Sequence, residues 1–266
     1  MSQTALLFDA PTKAQRSPFS KVPEVTALFW IVKVLTTGMG ETTSDFLVHR
    51  IDPPIAVALG FAGFVAALAV QLAAPRYNAW IYWAAVVMVS VFGTMAADVL
   101  HVALGVPYIA STIAFAVALA AILVVWQRTE GTLSIHSIHR RRREAFYWAT
   151  VLATFALGTA AGDMTAKNLG FGYLDSGFLF AAVMAVPALA RWKLGMAEIP
   201  AFWFAYIVTR PLGASFADWM GVSPERGGLG WGTGPVSLVA FVLILLLVGY
   251  LAATRADVEP ESDATD

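Results

Sequence analysis

One pattern occurs four times in the chain: a tryptophan, a glycine ten residues later, and an aspartate five residues after the glycine. Each copy lies in an apolar stretch long enough to cross a bilayer as a helix, which takes about 20 residues. The four sets are Trp30, Gly40 and Asp45; Trp83, Gly93 and Asp98; Trp148, Gly158 and Asp163; and Trp203, Gly213 and Asp218. Carboxylates are costly in hydrocarbon and tend to mark ion or proton pathways, so the recurrence predicts a charged interior shared by four similar units.

The composition places the chain among polytopic membrane proteins. Hydrophobic residues make up 58% of its 266 residues and charged residues 13%, whereas soluble domains average about 45–50% apolar and about 25% charged residues. Eight apolar segments are predicted to span the bilayer within one transmembrane domain over residues 24–253. The predicted spans are 24–47, 54–74, 79–101, 107–127, 145–167, 173–191, 199–220 and 235–253.

The distribution of basic residues predicts the orientation of these spans. If the N-terminus is cytoplasmic, twelve Lys and Arg residues lie on inner segments and three on outer loops. The positive-inside rule therefore predicts that both termini are cytoplasmic. The cytoplasmic parts would be a flexible N-terminal tail (1–23) without the apolar core of a signal peptide, a linker (128–143) ending in four arginines, and a solvated acidic tail (254–266).

Each motif-bearing segment is followed by a plainer one, so the repeating unit is two helices long. Because an even number of crossings returns the chain to the same side, all four units have the same orientation. The predicted fold is therefore an all-α integral membrane protein of eight transmembrane helices. It contains four parallel two-helix repeats, pseudo-symmetric about an axis along the membrane normal, with the motif helices inside. The repeats are assigned to 24–78, 79–127, 144–193 and 198–253.

The sequence offers five candidate cation- or proton-binding carboxylates. Glu41 lies one helical turn before Asp45 and shares its helix face, and the motif aspartates supply the others. The full set is Asp45, Asp98, Asp163, Asp218 and Glu41, with Lys33, Arg210 and Lys167 as candidate charges that tune their protonation. His49 and His101 follow their aspartates by four and three residues and are candidate ligands at the outer end; Asp98 and Asp163 are the candidate metal ligands.

The types of side chain available as ligands limit the class of cation that the protein can bind. The chain has no cysteine, which argues against thiolate sites for soft metals, whereas carboxylates and hydroxyls suit hard cations. The leading hypothesis is a proton-coupled secondary transporter of a small cation, with a divalent, manganese-like metal as exported substrate. The alternatives are a cation channel and a non-transporting scaffold or sensor whose Asp and Trp motifs are structural. Unpaired carboxylates facing a wet cavity favour transport, whereas closed pairs with Lys or Arg favour the scaffold.

The other motif residues have ordinary structural interpretations. Tryptophans are expected to anchor helices at the membrane interface and to pack, and glycines to let helices approach closely. The sequence shows no Ser-His-Asp ordering, no HExxH and no phosphate loop, so we expect neither enzymatic activity nor a covalently bound cofactor. The expected partners are the lipid bilayer and a small cation, with no nucleic acid; a homo-oligomer is left open.

The four motif copies also carry a family resemblance. The G-x-x-x-x-D turns are Gly40–Asp45, Gly93–Asp98, Gly158–Asp163 and Gly213–Asp218, each preceded by its tryptophan. In this the chain resembles bacterial membrane proteins defined by four tandem copies of a "repeat of unknown function". The resemblance covers nearly the whole chain, from about residue 24 to 255. It implies a multi-pass protein of the bacterial inner membrane and implies no particular activity.

Overall fold

The computed structural model of the protein describes residues 20–258, except for the side chain of Val102, and helices are the regular secondary structure in this range. This range contains eight long helices and no strand, as predicted, and the helix bounds agree with the predicted spans to within about one turn. The helices are α1 (Ala27–Arg50), α2 (Pro53–Ala73), α3 (Ala79–Asp98), α4 (Tyr108–Glu130), α5 (Arg141–Asp163), α6 (Gly172–Leu194), α7 (Glu198–Gly221) and α8 (Thr233–Thr254).

Local sequence explains where several helices begin and end. The side chains of Thr26 and Asn78 accept hydrogen bonds from backbone amides of the first turns of α1 and α3, which leaves fewer unsatisfied N–H groups there. Pro53 begins α2 at a position where the missing N–H is harmless. Gly131 ends α4 in the left-handed region, at φ 72°, which costs glycine little because it has no Cβ.

Six of the helices in the described range are long and apolar enough to cross a membrane: α2, α3, α4, α5, α6 and α8. The other two, α1 and α7, have 24 residues each and are long enough. Both carry charged residues that lower their hydropathy, namely Lys33, Glu41, Asp45 and Arg50 in α1, and Glu198, Arg210 and Asp218 in α7. These are the two helices most in need of shielding by neighbours.

The four motif helices form a closed ring. α1 packs against α3 and α7, and α5 packs against the same two helices from the opposite side. The plainer helices surround this ring: α2 packs mainly on α3, α4 on α5, α6 on α7, and α8 on α1. Each plain helix therefore packs against the motif helix of the following repeat, and α8, in the last repeat, packs against the motif helix of the first repeat. The charged helices α1 and α7 are enclosed by this arrangement.

The motif glycines lie where neighbouring motif helices touch. A Cβ placed on Gly93 would come within 2.8 Å of the Cβ of Phe155, and one on Gly40 within 2.5 Å of the Cβ of Ser90. The four glycine contacts are Gly40 with Ser90, Gly93 with Phe155, Gly158 with Arg210, and Gly213 with Thr37. In every case the contacting residue stands three positions before the glycine of the next repeat. Glycine is required because any side chain would separate the two helices.

Both ends of the described range pack against the tryptophan end of the ring, the end at which the motif helices begin. The Nζ of Lys21 lies 2.7 Å from Glu144 Oε2 in a buried ion pair, and Val22 is also buried. The backbone N–H of Lys21 donates to the carbonyl of Ile138 in the linker. The prediction of a flexible tail through residue 23 is therefore wrong for residues 20–23, because buried apolar and ionic contacts fix them.

The C-terminal segment is held in the same way. Asp257 is 2% exposed, its carboxylate accepts a hydrogen bond from the hydroxyl of Tyr77, and its carbonyl accepts the N–H of Glu24. The predicted solvated acidic tail therefore does not include Asp257, since Tyr77 and the N-terminal segment cover it. The remaining parts of both predicted tails, residues 1–19 and 259–266, lie outside the described residues.

Candidate functional site

Four layers of side chains stack along the ring, each with one residue from every motif helix. Residues four apart share a helix face, so the layers follow the same stripe of each helix. The aspartate layer is Asp45, Asp98, Asp163 and Asp218; the Glu41 layer is Glu41, Thr94, Thr159 and Ala214; the Arg210 layer is Thr37, Ser90, Phe155 and Arg210; and the Lys33 layer is Lys33, Val86, Val151 and Tyr206. No residue of the last three layers is more than 5% exposed.

Arg210 connects all four repeats. Its Nη2 donates to the carboxylate of Glu41 and to the hydroxyls of Thr94 and Thr159, the last at 2.8 Å. These acceptors are the residues that follow the motif glycines in the other three repeats. Nη1 donates to the carbonyl of Thr37 at 3.3 Å. One guanidinium therefore occupies the position where the Glu41 layer converges, and Arg210 itself is completely buried.

Lys33 is the second buried cation, and it is bound differently. Its Nζ has no hydrogen-bond partner among residues 20–258 and lies 4.1 Å from the ring centre of Phe155 and 4.3 Å from that of Tyr206. The guanidinium carbon of Arg210 lies 5.7 Å from the same Phe155 ring. Aromatic faces attract cations, but they do not replace the hydrogen bonds that an ammonium group makes in water. Lys33 is therefore a buried cation of the ring that lacks a hydrogen bond within the described range.

An aromatic belt closes the tryptophan end. In each repeat, the residue before the motif tryptophan contacts the tryptophan of the next repeat. The ring centres are 5.7 Å apart for Phe29 and Trp83, 5.7 Å for Tyr82 and Trp148, 6.2 Å for Tyr147 and Trp203, and 5.7 Å for Phe202 and Trp30. Trp83, Trp148 and Trp203 are buried. Packing, one of the two roles expected of the tryptophans, is thus observed for these three, whereas their depth relative to the membrane interface stays a prediction.

The aspartate layer contains the candidate metal ligands. Ligand atoms of Asp98, His101 and Asp163 all lie within 4.8 Å of one another. Asp163 also forms a 2.8 Å ion pair with Lys167. Asp218 Oδ1 is buried without a hydrogen-bond partner in the described part of the chain. Asp45, Asp98 and Asp218 each interact electrostatically with Asp163, so the four motif aspartates lie near one another, and Asp163 is already paired with Lys167.

Asp45 and His49 also lie at the aspartate end of the ring. Asp45 is close enough to interact electrostatically with Glu41, Asp163 and Lys167, and it is partly exposed. The Nδ1 of His49 lies 2.6 Å from the backbone carbonyl of Asp45, and the ring is exposed. The structure thus brings His101, but not His49, into the group of candidate metal ligands.

The second and third repeats differ from the others just beyond the aspartate. A π-helical turn follows Asp98 at Val99–Ala103 and follows Asp163 at Met164–Asn168. Such turns are rare and occur frequently at functional sites. They carry His101 and Lys167, respectively. By contrast, α1 and α7 continue past their aspartates as regular helix to Arg50 and Gly221.

The sequence pattern predicts which charged residues share a helix face, but it does not indicate their uncharged neighbours. The structure encloses Lys33, Arg210 and Glu41 in the ring and places Lys167 on Asp163. The sequence does not indicate that Lys33 lies next to Phe155 and Tyr206. Nor does it indicate that His101 contacts Ser111. A signal for Phe155 does exist, because it occupies the same repeat position as Arg210, three residues before the motif glycine.

The repeat geometry agrees with a family profile described as "Repeat of Unknown Function (DUF347)". That profile matches the chain four times, over residues 28–77, 81–132, 146–195 and 201–257. The chain belongs to this family. Each match begins within or close to one motif helix and continues into the plainer helix that follows. No curated protein and no solved structure matches the chain significantly.

Proposed function

We propose that this DUF347 protein is a secondary transporter of the bacterial inner membrane that exchanges a small cation for protons. The observation that carries the proposal is the convergence of four repeat aspartates at one end of a closed helix ring, directly beyond the buried Glu41–Arg210 pair. Carboxylates enclosed by membrane-spanning helices tend to mark ion and proton pathways. The role is transport rather than catalysis, and the path is the ring axis.

The membrane assignment rests on where apolar and charged side chains lie. Large exposed hydrophobic residues are frequent on α2, α4, α6 and α8, for example Ile55, Val117 and Leu246. Lys33 and Glu41 of α1 and Arg210 of α7, which lie away from the ends of their helices, are buried in the ring. We therefore assign all eight helices as spans, both termini to the cytoplasm, and the repeated contacts to a pseudo-symmetry axis along the membrane normal.

The pairing of charges separates two functional regions along the axis. Glu41 is paired with Arg210 and Asp163 with Lys167, as expected of an architectural lock. Asp45, Asp98 and Asp218 have no Lys or Arg within ion-pair distance in the described range. The buried lock thus lies next to carboxylates that still need protons or cations. A purely structural role does not explain these three carboxylates without a Lys or Arg partner.

The arrangement corresponds to one state of an exchange cycle. Asp45 and Asp98 are partly exposed, so cations reach the aspartate layer from that end of the ring. Arg210, Phe155 and the aromatic belt block the rest of the axis. Passage therefore requires Glu41 to exchange Arg210 for a proton or the transported cation. Pro211 helps, because a proline inside α7 removes one backbone hydrogen bond next to Arg210.

A cation channel is the second candidate. Four similar carboxylates around one axis resemble a selectivity ring. The completely buried Arg210 and the aromatic belt across the same axis favour an exchanger, because a channel needs a continuous aqueous path when open. The two candidates differ in one observable: an exchanger uses a proton gradient to concentrate its cation, whereas a channel can only equilibrate it.

Purified full-length protein in liposomes containing a pH-sensitive dye provides the test. Divalent and monovalent cations are added outside one at a time, and internal pH is recorded. We expect cation-dependent proton flux that is lost in Asp98→Asn and Asp163→Asn. Asp175→Asn, an exposed aspartate of α6 outside the layer, should transport normally. Absence of flux with every cation, or equal loss in Asp175→Asn, contradicts the proposal.

A further inference from the structure

We propose that Asp98, His101 and Asp163 form a binding site for a divalent transition metal, and that Lys167 occupies it in the metal's absence. The inference deepens the proposed function, on which it rests only for the movement of the metal; binding stands on its own. It specifies the substrate class. It also distinguishes the second and third repeats, which supply all three ligands, from the first and fourth.

The geometry of the three ligands fits one ion. Their ligand atoms lie within 4.8 Å of one another. Metal–ligand bonds of about 2.0–2.2 Å place bound ligand atoms roughly 3–4 Å apart. The required closing movement is therefore under about 2 Å. The ligands stand at adjacent helix ends, Asp98 and Asp163 on α3 and α5 and His101 in the π-helical turn, where such a movement does not disturb the buried ring.

The hydrogen bonds of His101 determine which nitrogen can bind metal. The hydroxyl of Ser111 donates to the backbone carbonyl of Tyr108 at 3.0 Å. We assign the Ser111 proton to that carbonyl, so that the hydroxyl oxygen, 2.5 Å from His101 Nε2, accepts the Nε2–H of the imidazole. The imidazole is thereby held as the Nε2–H tautomer, and its Nδ1 keeps a free lone pair.

That free nitrogen is buried and unused. His101 is 8% exposed, and its Nδ1 has no hydrogen-bond partner within residues 20–258. Leaving such an acceptor unpaired costs about 1–3 kcal/mol. Histidines that ligate metals typically donate the second ring N–H to a neighbouring group, which fixes ring and tautomer, as Ser111 does here. The unpaired Nδ1 is the observation that turns two carboxylates into a metal site.

Lys167 behaves as a tethered substitute for the metal. Its ammonium group lies 2.8 Å from Asp163 Oδ1 and 3.3 Å from the hydroxyl of Tyr108. Its side chain is 40% exposed, so it can leave Asp163 and remain hydrated. A divalent cation competes for the same carboxylate with twice the charge. Removal of the lysine charge is therefore expected to strengthen metal binding, an outcome that a purely structural ion pair does not predict.

The charge of the layer agrees with a divalent ion. Two cations are electrostatically coupled to the four aspartates: Lys167, and Arg226 from the loop before α8, which interacts with Asp45 and Asp218. Four carboxylates and two cations leave a formal excess of two negative charges. One divalent ion would balance that formal excess.

The donor set selects the metal class. Two carboxylates and one imidazole suit Mn²⁺, Fe²⁺, Co²⁺ or Zn²⁺, whereas Ca²⁺ and Mg²⁺ prefer oxygen ligands alone. Thiolate-dependent binding is excluded because the chain has no cysteine. Asp218, whose Oδ1 has no hydrogen-bond partner among the described residues, is a further carboxylate of the layer that interacts electrostatically with Asp163. We therefore expect a first-row transition metal to bind and Mg²⁺ to compete poorly.

The test measures binding of Mn²⁺ and Zn²⁺ to purified full-length protein in detergent, by electron paramagnetic resonance for Mn²⁺ and calorimetry for both. His101→Ala and Asp98→Asn should each weaken binding at least about tenfold, and Ser111→Ala by about 10–100-fold through loss of the tautomer lock. Lys167→Met should bind more tightly than the wild type. Thermal unfolding of each variant identifies any that are misfolded, and Ser111→Ala and Lys167→Met are the mildest changes.

His49→Ala is the matched control, because His49 follows a motif aspartate but lies outside the ligand group. Binding that is unchanged in folded His101→Ala, or reduced equally in His49→Ala, overturns the site, as does weaker binding in Lys167→Met. Metal binding in detergent with no proton flux in liposomes would contradict transport while the site stands. Proton flux that is indifferent to His101→Ala would contradict the site while transport stands.

Discussion

Arg210 of the fourth repeat and Glu41 of the first form an ion pair from which solvent is almost completely excluded. The guanidinium is 0% exposed and the Glu41 residue 5% exposed. The same nitrogen donates to Thr94 and Thr159, so one side chain binds all three of the other repeats. The pair lies between the aspartate layer, where cations can arrive, and the aromatic belt. It is therefore a buried polar contact shared by all four repeats and, in the proposed exchange cycle, the barrier across the ring axis.

Breaking this pair from one side should be more damaging than removing it. Glu41→Gln and Arg210→Met each leave one buried group without its partner, and each should lower the free energy of unfolding by about 3–5 kcal/mol. The double variant should lose clearly less than the sum of the two. Thermal unfolding in detergent measures all four proteins. Additive losses would mean that Glu41 and Arg210 contribute to stability independently of each other.

Replacement of Lys33 should separate stability from function. Lys33→Met removes a buried amine that lacks a hydrogen-bond partner in the described range and keeps the apolar stem. We expect the protein to become more stable, by about 1–3 kcal/mol, while proton-coupled transport falls. Lys193→Met changes an exposed lysine of α6 and should alter neither property. Loss of stability in Lys33→Met would show that its contacts with Phe155 and Tyr206 outweigh its burial.

Two glycines one turn apart on α5 should respond differently to the same added methyl group. A Cβ on Gly158 would overlap the Cγ of Arg210 and come within 2.5 Å of its Cβ, whereas a Cβ on Gly162 would lie 3.7 Å from Pro211. Gly158→Ala should therefore cost about 1–3 kcal/mol and displace Arg210. Gly162→Ala should be neutral or slightly stabilising. Equal melting temperatures for both variants would rule out close packing as the reason for the motif glycine.

The contacts that Asp257 makes at the tryptophan end of the ring should strengthen in mild acid. Burial raises the pKa of the Asp257 carboxyl above its usual 3.8, although the hydrogen bond from Tyr77 opposes the change. The folded state therefore favours the protonated form, so this contribution to stability is complete below about pH 3.8 and is lost as pH rises through the folded-state pKa. Asp257→Asn should raise the melting temperature at pH 7 relative to the wild type and have little effect near pH 4. An equal effect at both pH values contradicts the assignment.

Much of the ring could be predicted because every copy of the motif has the same residue types at the same spacing along a helix. Asp45 and Glu41 stand four residues apart, and Lys33 lies eight residues before Glu41, so helical periodicity alone places them on one face. Glycine at a fixed distance from aspartate predicts close helix contact at a fixed depth. Two-helix repeats in one orientation then bring equivalent positions together, and the family profile and the eight helices agree with that organisation.

The packing of the outer helices could not be predicted in the same way. α2, α4 and α8 are apolar on nearly all sides, so no polar face specifies which motif helix each one covers. The shift of each outer helix onto the next repeat follows from loop geometry and packing. The proposed ligand role of His101 could also be only partly predicted, since it depends on a π-helical turn and on Ser111, ten residues further along the chain.

The most direct test of the central claim is whether a proton gradient makes the protein concentrate a divalent cation. Liposomes with an acidic interior are given external Mn²⁺, and the metal retained inside is measured by elemental analysis. We expect wild-type protein and Asp175→Asn to accumulate Mn²⁺ above the external concentration, a protonophore to abolish this, and Asp98→Asn to remain at background. Entry that stops at equilibrium would indicate a channel, and no entry with correctly folded wild-type protein would contradict transport altogether.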